Sequence, residues 1–392
     1  MIIKFLISIF VLAGGMMSLD AAEVGESIKT ATTPSSEVDK TQDARTARYN
    51  HLSKSLETLS DNELAILLKR GTPLHSGNGT SIKIEIDGIP IFVKLIPLNE
   101  IEGASETIRS TENLFKLPLY YQYGVGSEGF SVWREVSAHV MSTNWVLESE
   151  NQNFPLTYHW RILKNSLDKK PLDEEGFKKN VAYWNDSSVI GQRIRANHDA
   201  STHVVLFVEY IPQTVRSWLS EQFAKGGDSF DEAIEMVEKN LLETTEFMNA
   251  KGMLHFDAHF KNILTDGKRL YFSDFGLATS SQFALSKEEE EFFHNHQNYD
   301  RCFVVTNLTH CILSNVFGKE RVNEVVQEYA HGKTPLVVPE TLTPRLTSIV
   351  KRYAPIALKM SQFFDVLINQ TKNTPYPAEE LEQLWINKDC VD

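Results

Sequence analysis

The stretch His255-Phe256-Asp257-Ala258-His259-Phe260-Lys261-Asn262 sets a carboxylate, an amide, an amine and two imidazoles within one short segment. A second stretch, Leu270-Tyr271-Phe272-Ser273-Asp274-Phe275-Gly276-Leu277, follows soon after and sets another carboxylate behind a β-rich Leu-Tyr-Phe. A carboxylate beside a hydroxyl can accept or orient its proton. Carboxylate and amide oxygens are hard ligands of the kind that magnesium takes. Gly276 permits a sharp turn directly after Asp274-Phe275. The cysteines offer no competing chemistry: Cys302, Cys311 and Cys390 are an odd, sparse set late in the chain, not a disulfide framework. The first two share a stretch of helical spacing. That would hold them roughly 13 Å apart, too far for a bridge, as buried free thiols.

Taken together and in order, the two stretches resemble the catalytic loop and the DFG segment of the protein-kinase superfamily. The resemblance covers roughly residues 65–320. It implies ATP and magnesium as cofactors and transfer of the γ-phosphate to an acceptor hydroxyl. Such a reaction asks a protein for positioning and charge neutralisation more than for covalent chemistry. On that reading Asp257 takes or orients the acceptor proton, Asn262 and Asp274 hold magnesium, and Phe275 packs under a regulatory helix. Lys261 lies four places after Asp257, as a basic residue does in tyrosine kinases, and reaches toward the γ-phosphate.

Upstream residues find places by the same resemblance. Ile91-Phe92-Val93-Lys94 is similar to the strand-lysine motif, with Lys94 against the α- and β-phosphates. Gly77-Asn78-Gly79-Thr80 resembles half of a glycine-rich phosphate loop, whose third glycine is replaced by Ile82. The helix glutamate that should pair with Lys94 is Glu135, with Glu106 or Glu112 as alternatives if an earlier helix forms. Phe207-Val208-Glu209-Tyr210-Ile211-Pro212 resembles the hinge that bonds adenine through backbone, Glu209 giving a C=O and Ile211 an N–H. Asp300 either steadies the catalytic loop or caps a helix.

The departures from the family pattern matter as much. Phe256 replaces the arginine that binds a phosphorylated activation loop, so no such switch is expected. No Ala-Pro-Glu follows Gly276, and Ser286-Lys287-Glu288-Glu289-Glu290-Glu291 reads as a solvated charge run. His259 gives His-x-Asp-x-His-x-x-Asn, a pattern similar to aminoglycoside and choline kinases, although a structural hydrogen bond is its simpler role. Three readings follow: a protein kinase acting on Ser/Thr-type hydroxyls, a small-molecule kinase, and an inactive nucleotide-binding module.

These residues need a frame. The chain has 392 residues and is 42% hydrophobic, enough for one large core or two lobes. Its charge is 39 minus 52, or −13, which gives no basic surface for nucleic acid. Ser81–Ile86 alternates polar and apolar, Asp87-Gly88 is a turn signal, and Ile89–Leu95 reads as the returning strand of a hairpin. Residues 99–130 read as irregular, 131–148 as a helix, and roughly 165–202 as a polar insertion. Val204–Val208 is a continuous apolar run, as in a strand covered on both faces. A long amphipathic helix follows Ser229. The expected fold is α+β and two-lobed: a small antiparallel sheet with one helix in residues 49–203, and a hinge and mainly helical lobe with a helical extension in 204–392. Residues 1–22, with Lys4, an apolar run over 5–17 and Ala21-Ala22, read as a signal peptide, with an uncleaved membrane anchor as the alternative. Residues 23–48 read as a disordered linker. Export would demand a destination that holds ATP.

Overall fold

The structure is a computed structural model that describes residues 37–74, 80–164 and 171–389, with side chains from residue 43. It is α+β, with one five-stranded antiparallel sheet and a mostly helical remainder. The sheet runs β1 (Thr72–Leu74), β2 (Thr80–Ile86), β3 (Ile89–Leu98), β5 (Thr202–Glu209), β4 (Thr157–Lys164) in spatial order. The expected hairpin is β2–β3, with Asp87 and Gly88 both at positive φ in its turn. Strand alternation then decides which side chains share a face. Ile91, Val93 and Leu95 join the core on one side of β3. Phe92 and Ile96, and with them Lys94, face the other side, where α3 (Val132–Leu147) lays Val132, Trp133 and Val136. Strand β5 supplies Val204, Leu206 and Val208 to that face and Val205 and Phe207 to the opposite one, which explains its unbroken apolar run.

The opposite face is covered by α1 (Glu37–Thr58) and α2 (Asp61–Lys69), which bring Leu52, Leu56, Leu64 and Leu68 into the core. This corrects two expectations. The linker reading fails from Glu37 on, because α1 is helical and its Arg45 is buried. The sheet carries more than one helix. Arg45 donates to Glu209 through Nε (3.3 Å) and Nη2 (2.5 Å) and to the Phe154 carbonyl (2.8 Å), so a buried ion pair locks α1 to the end of β5. Residues 1–36, including the expected signal peptide, lie outside the described residues. Among the described residues no helix is long and apolar enough to cross a membrane.

The expected polar insertion holds two helices, α4 (Glu174–Tyr183) and α5 (Ser188–Asp199). With Phe115, Leu117, Tyr121 and Phe130 they bury Trp184, Ile190 and Ile194 in a separate small core. Residues 99–130 are irregular as expected, apart from one short helical turn over Leu119–Gln122, yet they are packed. The rest is helical: α6 (Val215–Lys225), α7 (Ser229–Ala250), α8 (Lys287–Asn295), α9 (Tyr299–Phe317), α10 (Val322–Ala330), α11 (Pro344–Asn369) and α12 (Ala378–Asn387). Cys302 and Cys311 lie buried and unbridged on α9, as their spacing requires. Two small sheets sit among these helices. β7 (Met253–Leu254) pairs with β10 (Thr279–Ser280), while β6 (Gln213–Thr214), β8 (Ile263–Thr265) and β9 (Leu270–Phe272) form the other. They frame the two chemistry-bearing segments, since residues 255–262 link β7 to β8 and residues 273–278 link β9 to β10.

Candidate active site

Because β8 pairs with β9, the segments leaving them start side by side. Ser273 donates through both N–H (3.0 Å) and Oγ (2.6 Å) to the Asn262 carbonyl. His255 completes the tie. The Asp257 N–H donates to its Nδ1 at 3.3 Å, so Nε2 carries the proton and donates to the Ser273 carbonyl at 3.0 Å. Asp300 settles between its two expected roles, for its carboxylate accepts the N–H groups of His255 (2.6 Å) and Phe256 (2.9 Å). It steadies the loop, and burial raises its pKa to about 6. Phe256 and Asp274 both hold left-handed backbone, φ 60 and 62. Non-glycine residues rarely occupy that region, and strain there concentrates at functional sites. Phe256 is held there by stacking on Tyr299 and Phe292.

Lys94 joins the segments to the sheet. Its Nζ lies 2.6 Å from Glu135 and 2.7 Å from Asp274. Burial alone would lower its pKa, but the two carboxylates outweigh burial and raise it. For Asp274 burial works upward and Lys94 downward; Lys94 prevails and holds the carboxyl at about 2. Glu135 is more deeply buried, and burial raises its pKa against the pull of Lys94. Of the three glutamates considered, Glu135 is therefore the one that reaches Lys94, whereas Glu106 and Glu112 are exposed. Phe275 is buried with its ring edge-on to His139 of α3 at 5.1 Å. A Cβ at Gly276 would meet Asp274 and Glu135 at 3.4 Å each, the near edge of van der Waals contact.

Asp257 faces this cluster. Its Oδ2 accepts from Asn262 Nδ2 at 2.9 Å, and its Oδ1 is buried with no hydrogen-bond partner. Burial, reinforced by the charge of Asp274, raises its pKa well above the usual carboxylate range. His259 accepts the N–H groups of Lys261 and Asn262 on Nδ1, both at 3.2 Å, so it is a structural hydrogen-bonder. Burial lowers the pKa values of His255 and His259 to about 4, so both rings are neutral. Their His-x-x-x-His spacing does not make a metal pair, because both Nδ1 atoms are already accepting backbone N–H groups. Lys261 is exposed, next to the Phe260 carbonyl that accepts from the Arg216 N–H.

Among the described residues no three His, Cys, Asp or Glu are placed to hold a metal by themselves. The donors available are the Asp274 carboxylate and the Asn262 amide oxygen. That set fits magnesium, which takes one or two protein oxygens and completes its shell with phosphates and water. Glu209 ends β5, but its carboxylate is committed to Arg45 and the Leu156 N–H, and its own N–H donates to the Leu156 carbonyl. Its carbonyl and the following Ile211 stay candidates for adenine. Gly77 and Gly79 lie outside the described residues. Residues 286–291 are exposed as the solvated reading expected, except Glu289, which closes a capping box with Ser286, is buried, and pairs with buried Arg134 at 2.7 Å.

One element escaped sequence reasoning. Gly124-Val125-Gly126-Ser127-Glu128-Gly129 runs directly into α3, and its glycine spacing is the signal that could have found it. Ser131 Oγ accepts the Trp133 N–H and the Glu102 carboxylate accepts the Val132 N–H, so the start of α3 is already satisfied. The loop instead lies against Asp257 and Gly276.

Comparison with protein-family models found no match, and comparison with curated proteins found none either. A kinase reading therefore has to stand on the site's own residues.

Proposed function

We propose that the protein is a kinase that binds ATP with magnesium and transfers the γ-phosphate to a hydroxyl, with a Ser/Thr-type hydroxyl of a protein as the first acceptor. The observation that carries this reading is Lys94, fixed between Glu135 at 2.6 Å and Asp274 at 2.7 Å, with Asp257 and Asn262 bonded to each other beside them. The sheet of one lobe and the loops of the other thus meet at a single charged cluster, as a two-lobed kinase fold would require. Bound ATP would supply the phosphoryl group and magnesium would neutralise its charge. Lys94 would hold a positive charge at a fixed point. Asn262 and Asp274 would turn their oxygens to the metal. Asp257, once deprotonated, would take the acceptor proton.

A small-molecule acceptor, as in aminoglycoside and choline kinases, is the second reading. It is favoured by the close approach of Gly124 to Asp257, whose Oδ1 is buried, which narrows the room beside that carboxylate. An inactive nucleotide-binding module is the third. We also propose export by residues 1–22, into a compartment that holds ATP.

Incubation of the chain from Glu23 onward with γ-labelled ATP, magnesium and panels of protein and small hydroxyl acceptors tests the proposal. Label transfer that Asp257→Asn abolishes supports a kinase, and the accepting panel chooses between the first two readings. ATP binding with no transfer to any acceptor, water included, leaves only the module.

A further inference from the structure

We propose that residues 122–130 form a lid closed over the acceptor position, which must lift before any hydroxyl can meet Asp257. The inference rests on the kinase reading of Asp257.

Only one oxygen of that carboxylate is hydrogen-bonded, and His259 Nε2, at 3.8 Å from the other, is too far to bond it. Asn262 donates to Oδ2, and Oδ1 lies buried without a partner beneath Gly124. Three glycines let the chain come this close. A side chain at Gly124 would run into Asp257 Oδ1, and one at Gly129 would run into the Gly276 carbonyl. Gly126 and Gly129 adopt φ of +103 and +76, which L side chains rarely take. Gln122 Nε2 donates to the Leu277 carbonyl, so the lid also touches the turn after Asp274.

An acceptor oxygen buried without a partner carries the full penalty of its lost water. Closure is therefore unfavourable at its centre and must be held from outside. Two anchors do so. Tyr183 Oη donates to the Val125 carbonyl at 2.9 Å, and Arg193 Nε donates to the Gly129 carbonyl at 2.9 Å. Tyr183 is itself held by Lys372, just past α11, whose Nζ lies 3.6 Å from the ring centroid and 5.3 Å from that of Trp184. Lys372 is buried, and the contact links the small core of α4 and α5 to the helical lobe. A hydroxyl entering beneath a lifted lid would give Oδ1 the hydrogen bond it lacks. Acceptor binding and lid opening are thereby coupled.

Tyr183→Phe removes one hydrogen bond and keeps the ring; Lys372→Met keeps the volume and removes the charge. In the chain from Glu23 onward, hydrogen exchange of amides 122–130 is followed for both variants. Each should exchange there about fivefold faster, the size expected for one ordinary contact, with β3 and β5 unchanged. ATP affinity should hold while turnover with a small acceptor rises. Wild-type exchange in both folded variants would overturn the lid, as would faster exchange without faster turnover in a protein that binds ATP. A wild-type chain that binds no ATP would sink the kinase reading instead, and the exchange result alone would then support or overturn the lid.

Discussion

At the scale of single residues, the site is a set of opposed charges whose protonation follows from burial. Lys94 neutralises Glu135 and Asp274 together, so Lys94→Met leaves two carboxylates facing each other. Transfer at saturating ATP should fall by about 10²–10³, as when one preorganised charge is removed from an active site. A kcat within a factor of a few of wild type would contradict that role. Asp257 predicts the pH dependence. Its folded pKa is raised by burial and by Asp274, so it is protonated, and unable to take a proton, below that raised value. The rate should climb with pH through a limb above the usual carboxylate range, read from kcat/KM. His255 and His259 have pKa values near 4 and are already neutral there; Asp300, at about 6, also titrates above the usual carboxylate range, so loss of the limb in Asp257→Asn with residual turnover assigns it to Asp257. Asp300 has a separate duty. Asp300→Ala strands two buried N–H groups and should cost about 2–5 kcal/mol of stability in urea unfolding. Lys94, Asp257, Asn262 and Asp274 were legible in the sequence because each sits in a short motif of fixed spacing. Glu135 was less so, because a long connection separates it from Lys94 and only strand alternation shows that Lys94 faces α3, which carries Glu135. The lid glycines carried a spacing signal, but their partners lie about 130 residues or more away in Asp257 and Gly276.

At the scale of elements, two buried ion pairs set the frame. Arg45 brings α1 onto the end of β5, so Arg45→Met leaves the Glu209 carboxylate buried without its counter-charge. The loss should be about 3–5 kcal/mol, measured by denaturant unfolding. A change under 1 kcal/mol would mean that α1 is a loose appendage. This helix was hard to read because its first half is polar, and its packing rests on one arginine and two leucines. Strand β4 was missed for another reason: a bulge between Thr157 and His159 breaks the alternation that marks a strand. The β2–β3 hairpin and β5 were legible, because a turn dipeptide and a two-sided apolar run are local signals. The second pair, Arg134 with Glu289, fastens the start of α8 beside Glu135. If the protein is a kinase as proposed, this fixed charge would do without a phosphorylated loop. Phosphatase treatment should leave activity unchanged, and a loss would contradict this.

At the scale of the whole molecule, the proposed kinase would bind its nucleotide where the five-stranded sheet and the helical part meet. A ligand that binds only the folded chain raises its stability by about 2.7 kcal/mol at a hundred times its dissociation constant. The most direct test is the melting temperature of the chain from Glu23 onward, with and without ATP and magnesium, beside Asp274→Ala. The account predicts an upward shift that needs magnesium and that the variant loses. No shift in the intact chain at millimolar ATP, or an equal shift in the variant, would contradict it.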